Sequence, residues 1–155
     1  MAKPNTSSTK GVYIKNRPAT FQYEIEDKLM AGMVLTGSEI KSIRLGKVSF
    51  SDSYCYFDKN ELWIKSLHIA EYVNAGYAGH DPVRERKLLL TKKEIKKWQQ
   101  KIKEKGLTIV PLSIFITAKG LAKIDIGLGR GKKLHDKRDS IKNREAERGL
   151  REKNY

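Results

Sequence analysis

The sequence predicts a mainly β protein with short helices, folded as an antiparallel barrel and followed by a basic C-terminal tail. Three observations carry that prediction. Several short runs alternate apolar and polar residues between turn residues, the two-residue period of half-buried strands. Only two segments show helical spacing, and both are short. From Gly129 onward the apolar residues thin to Leu134, Ile141 and Leu150, while ten Lys or Arg lie between Arg130 and Lys153. A segment of that composition cannot offset its ordering entropy by burial. The 155 residues suit one domain, because a second core would be too small to stand alone. The predicted organisation is a flexible arm over 1–12, a barrel over 13–128 and a tail over 129–155.

The elements follow in order. Phe21-Gln22-Tyr23-Glu24-Ile25 alternates as a strand, and Met33-Val34-Leu35 forms the next, entered past Gly32. Ser38 offers an N-cap, Ile40 and Ile43 a short apolar stripe and Gly46 a stop, which predicts a helix from Glu39 to about Leu45. Tyr54-Cys55-Tyr56-Phe57 and Glu61-Leu62-Trp63-Ile64 flank the turn-rich Asp58-Lys59-Asn60 as a hairpin. Residues 74–83 are glycine-rich and patternless, hence a loop. Thr91-Lys92-Lys93-Glu94 fits a capping box, with Ile95, Trp98 and Ile102 at helical spacing and Gly106 as the stop. Leu107 to Thr117 and Leu121 to Leu128 are strands, and Pro111 predicts a bulge or an edge position in the first. Short strands with few helices suit a closed or partly open antiparallel barrel, the oligonucleotide-binding class among others. Were the tail to become helical, Lys137, Arg144, Arg148 and Arg151 would share one face.

Charge narrows the partner. Thirty-two Lys+Arg face 18 Asp+Glu, a formal charge of +14. Residues 1–20 carry +4, 21–83 carry −3, 84–105 carry +7, 106–126 carry +1 and 127–155 carry +5. Focused basic surface of this kind attracts phosphate, and +14 exceeds what solubility asks of so small a domain. A membrane surface fits poorly, because no segment pairs a basic face with a wide apolar one. No run reaches the roughly 18–20 apolar residues of a spanning helix. The N-terminus lacks the apolar stretch of a secretory signal. The single Cys55 forms neither an internal disulfide nor a thiolate metal cluster, and the predicted location is cytoplasmic.

Candidates for catalysis are thin, and no enzyme activity, cofactor or metal is predicted. His68, His80 and His135 lie far apart and outside any metal-ligand spacing. His80 beside Asp81 is compatible with acid–base work and equally with a turn. Cys55 packs as a small hydrophobe between tyrosines. Gly127-Leu128-Gly129-Arg130-Gly131-Lys132-Lys133 lacks the spacing and final Ser/Thr of a phosphate loop. Features suited to RNA are better represented. In an extended chain Arg84 and Arg86 point the same way and track two phosphates, or else blunt a strand edge. Strand aromatics offer stacking surfaces, although Trp63 and Trp98 are predicted to be core.

Three blocks carry a family resemblance. The first is Asn16-Arg17, Tyr23-Glu24-Ile25 and Ala31-Gly32-Met33-Val34-Leu35-Thr36-Gly37-Ser38-Glu39-Ile40-Lys41-Ser42-Ile43-Arg44. The second is Asp81-Pro82-Val83-Arg84-Glu85-Arg86-Lys87-Leu88-Leu89-Leu90, and the third Gly131-Lys132-Lys133-Leu134-His135-Asp136-Lys137-Arg138. In that order and separation, from about Tyr13 to Arg148, they resemble the SmpB family, the SsrA-binding proteins of bacterial trans-translation. The resemblance implies a closed barrel of the oligonucleotide-binding type, one copy per transfer-messenger RNA, binding that RNA's tRNA-like domain. It implies that the protein replaces a missing anticodon arm, and that its tail probes the decoding centre and empty mRNA channel of a stalled ribosome. The family's RNA-facing positions match Asn16, Tyr23, Lys41, Arg44, Leu89 and Lys123, and the cations Arg17, Arg84, Arg86, Lys87 and Lys119 complete the candidate RNA-binding set. The ribosome-binding set is Lys132, Lys133, His135, Asp136, Lys137, Arg138, Arg144 and Arg148, with His135 at the family's decoding-centre histidine. Met30 stands where the family carries an acidic residue before Ala-Gly, so no RNA role is assigned to it, and Asp125 also departs from the family pattern.

Two other functions fit the residues. A single-strand-binding protein would use the same barrel with stacked bases. An RNA-processing enzyme would use His80 and His135 as acid and base, and it would cleave RNA that an adaptor leaves intact.

Overall fold

The computed structural model describes residues 12–73 and 79–132. The predicted N-terminal arm up to residue 11, part of the glycine-rich loop, and the tail beyond Lys132 lie outside the described residues. In chain order the elements are β1 (Tyr13–Lys15), α1 (Arg17–Gln22), β2 (Tyr23–Met33), α2 (Gly37–Arg44), β3 (Val48–Ser49), β4 (Tyr54–Asp58), β5 (Glu61–Lys65), β6 (His68–Ile69), β7 (Arg86–Leu89), α3 (Lys92–Lys105), β8 (Thr108–Ile116) and β9 (Ala122–Gly131). The chain is mainly β with few, short helices, as its sequence predicts.

Seven strands pair in the order β1-β8-β4-β5-β7-β2-β9, and β8 also pairs with β9, so the order returns on itself with β1 added at β8. All pairings are antiparallel, and β3 with β6 makes a separate two-stranded ladder. Inward residues such as Leu62, Ile64, Leu88, Ile114, Ile124 and Ile126 are almost wholly withdrawn from water. Burying a side chain of that size contributes about 1.5–3 kcal/mol, which is why the two-residue period dictates the register. The β4–β5 hairpin turns at Lys59 and Asn60, whose φ values of 48° and 64° give the left-handed pair that matches strand twist. Pro111 sits beside a register shift between Pro111 and Ser113, the bulge its missing N–H demands.

The β2–β9 ladder also bulges, between Ile25 and Asp27. There β9 passes so close that a Cβ on Gly129 would lie 2.4 Å from the Glu24 carbonyl oxygen. Backbone, unlike a flexible side chain, cannot yield to it. Gly129→Ala is therefore expected to cost about 1–3 kcal/mol of stability, read from the denaturant midpoint, whereas Gly131→Ala, with nothing near its added methyl, should leave the midpoint unmoved.

Helix α3 is the amphipathic segment the spacing predicts. Thr91 and Glu94 form the capping box, and Gly106 closes the helix at φ 65°. Trp98 is fully buried, and its indole N–H donates to Asp27 Oδ2 at 3.1 Å. Lys101 reaches the same oxygen at 3.2 Å. Burial raises the Asp27 pKa, but Lys101, Trp98 and the Lys28 amide overcome that and hold it below the usual carboxylate range.

Several expectations are corrected. Phe21 belongs to α1, not to a strand, because Pro18 sets a helical φ just inside the start. Strand β2 runs unbroken to Met33, so residues 33–35 do not make a second strand. Helix α2 is capped by Thr36, whose hydroxyl accepts from the Glu39 amide, and Ser38 lies inside it. Trp63 is only half-buried, because it opposes Tyr56 and Lys87 on the outer side of its ladder. Strand β9 continues to Gly131, past the expected end at Leu128.

Candidate nucleic-acid interface

The antiparallel registers bring distant residues into line. Leu89 of β7 lies opposite Gly32 of β2, and Gly32 opposite Lys123 of β9. Lys123 lies opposite Phe115 of β8, and Phe115 opposite Tyr13 of β1. Leu89 is 52% exposed although it is leucine on a central strand, so burial does not explain its residue type. Gly32 adds no side chain to this row, and a Cβ there would meet Leu89 at 3.5 Å. Two predicted site residues, Leu89 and Lys123, thus flank a shallow gap.

Beyond Lys123 the β8–β9 turn carries Lys119, and an added Cβ on Gly120 would lie 3.4 Å from the Arg44 guanidinium. Arg44 projects from the last turn of α2 and is exposed, as is Lys41 one turn earlier. The Lys41 ammonium stands 5.2 Å from the centroid of the Tyr72 ring, a cation–π contact that fixes its direction. Arg44 and Lys119 therefore converge on one turn. Lys41, Arg44, Lys119 and Lys123 form no ion pair among the described residues.

A second group gathers in an open cleft of about 930 Å³ that includes Lys15, Asn16, Arg17 and Tyr23 on one wall and the serines of 49–53 on the other. Asn16 is partly committed to the fold. Its side-chain amide donates to the Pro111 carbonyl and its backbone N–H to Leu112, each at 2.8 Å. Arg17 and Lys15 are exposed and unpaired among the described residues. Lys15 was not among the predicted residues. Its signal was parity, since it shares the strand face of Tyr13 two residues earlier.

The predicted pair Arg84 and Arg86 does not track phosphates as a pair, and Arg86 is a correction. Its side chain is fully buried, with Nε donating to Glu39 Oε2. Its Nη1 donates to the carbonyls of Leu67 (2.8 Å) and Arg84 (2.9 Å), and its Nη2 to those of Pro82 (3.1 Å) and Asp81 (3.4 Å). A guanidinium has five N–H donors in a rigid fork, and this one spends all of them inside the protein. Arg84 is 37% exposed and bonds the other Glu39 oxygen. Lys87, equally exposed, lies 3.1 Å from Glu61. Both keep an outward aspect, Lys87 paired with Glu61 and Arg84 sharing the one Glu39 carboxylate with Arg86.

The enzymatic alternative loses its base. His80 is buried with Nδ1 2.8 Å from the Ser38 hydroxyl and Nε2 2.9 Å from the Ile69 carbonyl. A carbonyl only accepts, so Nε2–H donates to it, and both ring nitrogens are committed to holding α2 against the β6 region. Cys55 is buried, and desolvation pushes its thiol well above the ordinary range, away from the reactive thiolate. Among the described residues no group of three His, Cys, Asp or Glu could hold a metal ion. None of the helices described is long and apolar enough to cross a membrane. Of the predicted ribosome-facing set, Lys132 is described, its backbone N–H donating to the Gln22 carbonyl at 2.8 Å. Lys133, His135, Asp136, Lys137, Arg138, Arg144 and Arg148 lie outside the described residues.

Comparison with known proteins converges on one group. The family model described as SmpB protein matches residues 13–154. An SsrA-binding protein of Bacteroides thetaiotaomicron is 55% identical over 139 residues, 90% of this chain and 93% of the relative. Another from Oleidesulfovibrio alaskensis is 47% identical over 145 residues, 94% of this chain and 93% of the relative. A solved structure described as "tmRNA-SmpB: a journey to the center of the bacterial ribosome" is similar at a TM-score of 0.69 and 43% identity, over 84% of this chain and 94% of that one.

Proposed function

The chain belongs to the SmpB family, and on that premise we propose that it is the RNA-binding adaptor of trans-translation, gripping the tRNA-like domain of transfer-messenger RNA and delivering it to stalled ribosomes. The observation that carries this reading is the alignment of Leu89, Gly32 and Lys123 across three strands, with Arg44 and Lys119 converging beside them. Unpaired cations around an exposed apolar side chain suit a folded RNA, whose helices are recognised through phosphates and 2′-hydroxyls and whose loops offer bases to stack. On this reading the ring of β2, β4, β5, β7, β8 and β9 acts as a closed barrel of the oligonucleotide-binding type over 13–131, one copy serves each RNA, and the work is done in the cytoplasm.

The remaining share of the reading concerns the tail that follows β9, carrying eight Lys or Arg beyond Lys132, which enters the vacant mRNA channel while the barrel stands in for an anticodon arm. Lys132, Lys133, Lys137, Arg138, Arg144 and Arg148 neutralise ribosomal phosphates, Asp136 accompanies them, and the flat ring of His135 stacks on a decoding-centre base. The test is peptide-tag addition on ribosomes stalled without a codon, with affinity for the tRNA-like RNA measured in parallel. His135→Ala should lower tagging by about 5- to 150-fold, the worth of one stacked base, and leave RNA affinity unchanged. His135→Tyr should retain most of the activity. Equal activity of the two variants overturns the stacking role, and cleavage of the RNA by the purified protein overturns the adaptor reading itself.

A further inference from the structure

The two groups of candidate residues come from different elements of the fold. Lys41, Arg44, Leu89, Lys119 and Lys123 belong to α2, β7, β9 and the β8–β9 turn, whereas Arg17 and Tyr23 flank the cleft at the start of β2. Between the two groups lies β1. Its Tyr13 is 61% exposed, and its ring stacks on that of Phe115 with centroids 6.4 Å apart and planes 28° from parallel. Phe115 is directly opposite Lys123 in the β8–β9 ladder. On the other side, Tyr13, Lys15, Tyr23 and Lys132 line one shared open cleft of about 500 Å³. The same cleft holds Asp125, whose carboxylate is bonded by the Ser113 hydroxyl at 3.0 Å, and Glu24.

We infer that the Tyr13–Phe115 pair is a stacking platform for one unpaired nucleobase of the bound tRNA-like RNA, with Lys15 and Lys123 on either side of it holding the adjoining phosphates. This rests on the adaptor reading above. The chemistry is that of a ring with a free face flanked by cations. An exposed aromatic already packed beside a cross-strand ring has its orientation restrained, so a base gains the contact with less side-chain ordering. Lys15 and Lys123 form no ion pair among the described residues, so their charge remains available to phosphate. The platform joins the Leu89–Lys123 row to the Tyr23 cleft as one continuous surface, and an edge tyrosine that merely covered Phe115 would need no cation on either side.

The test is filter binding of the full chain to the isolated tRNA-like domain over a range of salt. Tyr13→Ala should weaken binding by about 5- to 150-fold at every salt concentration, leaving the salt slope unchanged. Lys15→Ala and Lys123→Ala should each flatten the slope by about one unit. Tyr13→Leu decides whether packing or stacking matters, because leucine still covers Phe115 and keeps β1 in place but offers no π face. It should bind as poorly as Tyr13→Ala, whereas Tyr13→Phe should bind like the unaltered chain. Full affinity for Tyr13→Leu overturns the platform while leaving the adaptor reading intact. If the unaltered chain fails to bind the tRNA-like domain, the adaptor reading falls first.

Discussion

Replacing Glu39 by alanine is expected to lower the unfolding free energy by about 3–5 kcal/mol, the usual cost of removing one partner from a buried ion pair. Both side chains of the Glu39–Arg86 pair are fully buried. Glu39 also accepts from the Thr36 amide at 2.9 Å as half of the α2 capping box, and from Arg84. Alanine at 39 would leave Arg86 charged and without its anion in the interior. The reciprocal change, Arg86→Met, is expected to be as costly despite its apolar replacement, because the carbonyls of Leu67, Asp81, Pro82 and Arg84 would all lose a donor. Pairing the two changes should therefore fail to restore the native midpoint. The pH dependence has a definite sign. Burial pushes the Glu39 pKa up, but Arg84, the Thr36 amide and Arg86 outweigh it and hold the carboxyl below its usual range. The unfolded chain thus takes up the proton first. Stability from this group is fully present above the ordinary glutamate value of about 4.3 and is lost as pH falls through the depressed folded value. Asp27 has the same sign, so acid should loosen α2 and α3 together. Chemical denaturation at pH 7 and pH 3 checks this: Glu39→Gln, already without the carboxylate, should lose less stability between the two than the unaltered chain.

This pair also shows how far the sequence could be read. Alternation puts Arg84 and Arg86 on one side of an extended chain, but parity does not say which side faces in. Leu88, Leu89 and Leu90 are all apolar, so the neighbours did not settle it. Only the register, with Ile64 opposite Arg86 and Leu62 opposite Leu88, turns that face inward. The capping signal was legible at Thr91–Glu94 and equally present at Thr36–Glu39, where Ser38 was the more obvious cap. Helix α1 was hidden because six residues are too few to show a helical period. Candidate residues such as Asn16, Tyr23, Lys41, Arg44 and Leu89 stand one at a time in the family blocks. The alignment across strands was not legible, since Leu89, Gly32, Lys123, Phe115 and Tyr13 meet only through pairings between strands far apart in sequence.

Removing Arg86 from the RNA-facing set changes what carries the electrostatics. Among the described residues, cations without an ion pair at the candidate interface include the exposed Lys15, Arg17, Lys41, Arg44 and Lys119 and the half-buried Lys123. Six such contacts predict that log affinity falls against log salt with a slope of about −4 to −5. Converting Lys41, Arg44, Lys119 and Lys123 together to alanine is expected to remove about 3 units of that slope. Extrapolated between 1 M and physiological salt, the loss is about 200- to 1,000-fold in affinity for the tRNA-like domain, vanishing as salt approaches 1 M. The fold should survive, because among the described residues none of the four side chains takes part in an ion pair or in the buried core. Arg84→Ala in the same assay should flatten the slope by at most about one unit, since Arg84 shares the single Glu39 carboxylate with the buried Arg86, and it should also lower the melting transition. A fourfold variant that kept the original slope would mean that phosphate is held elsewhere, and the convergence of Arg44 and Lys119 on the β8–β9 turn would then serve the protein's own packing.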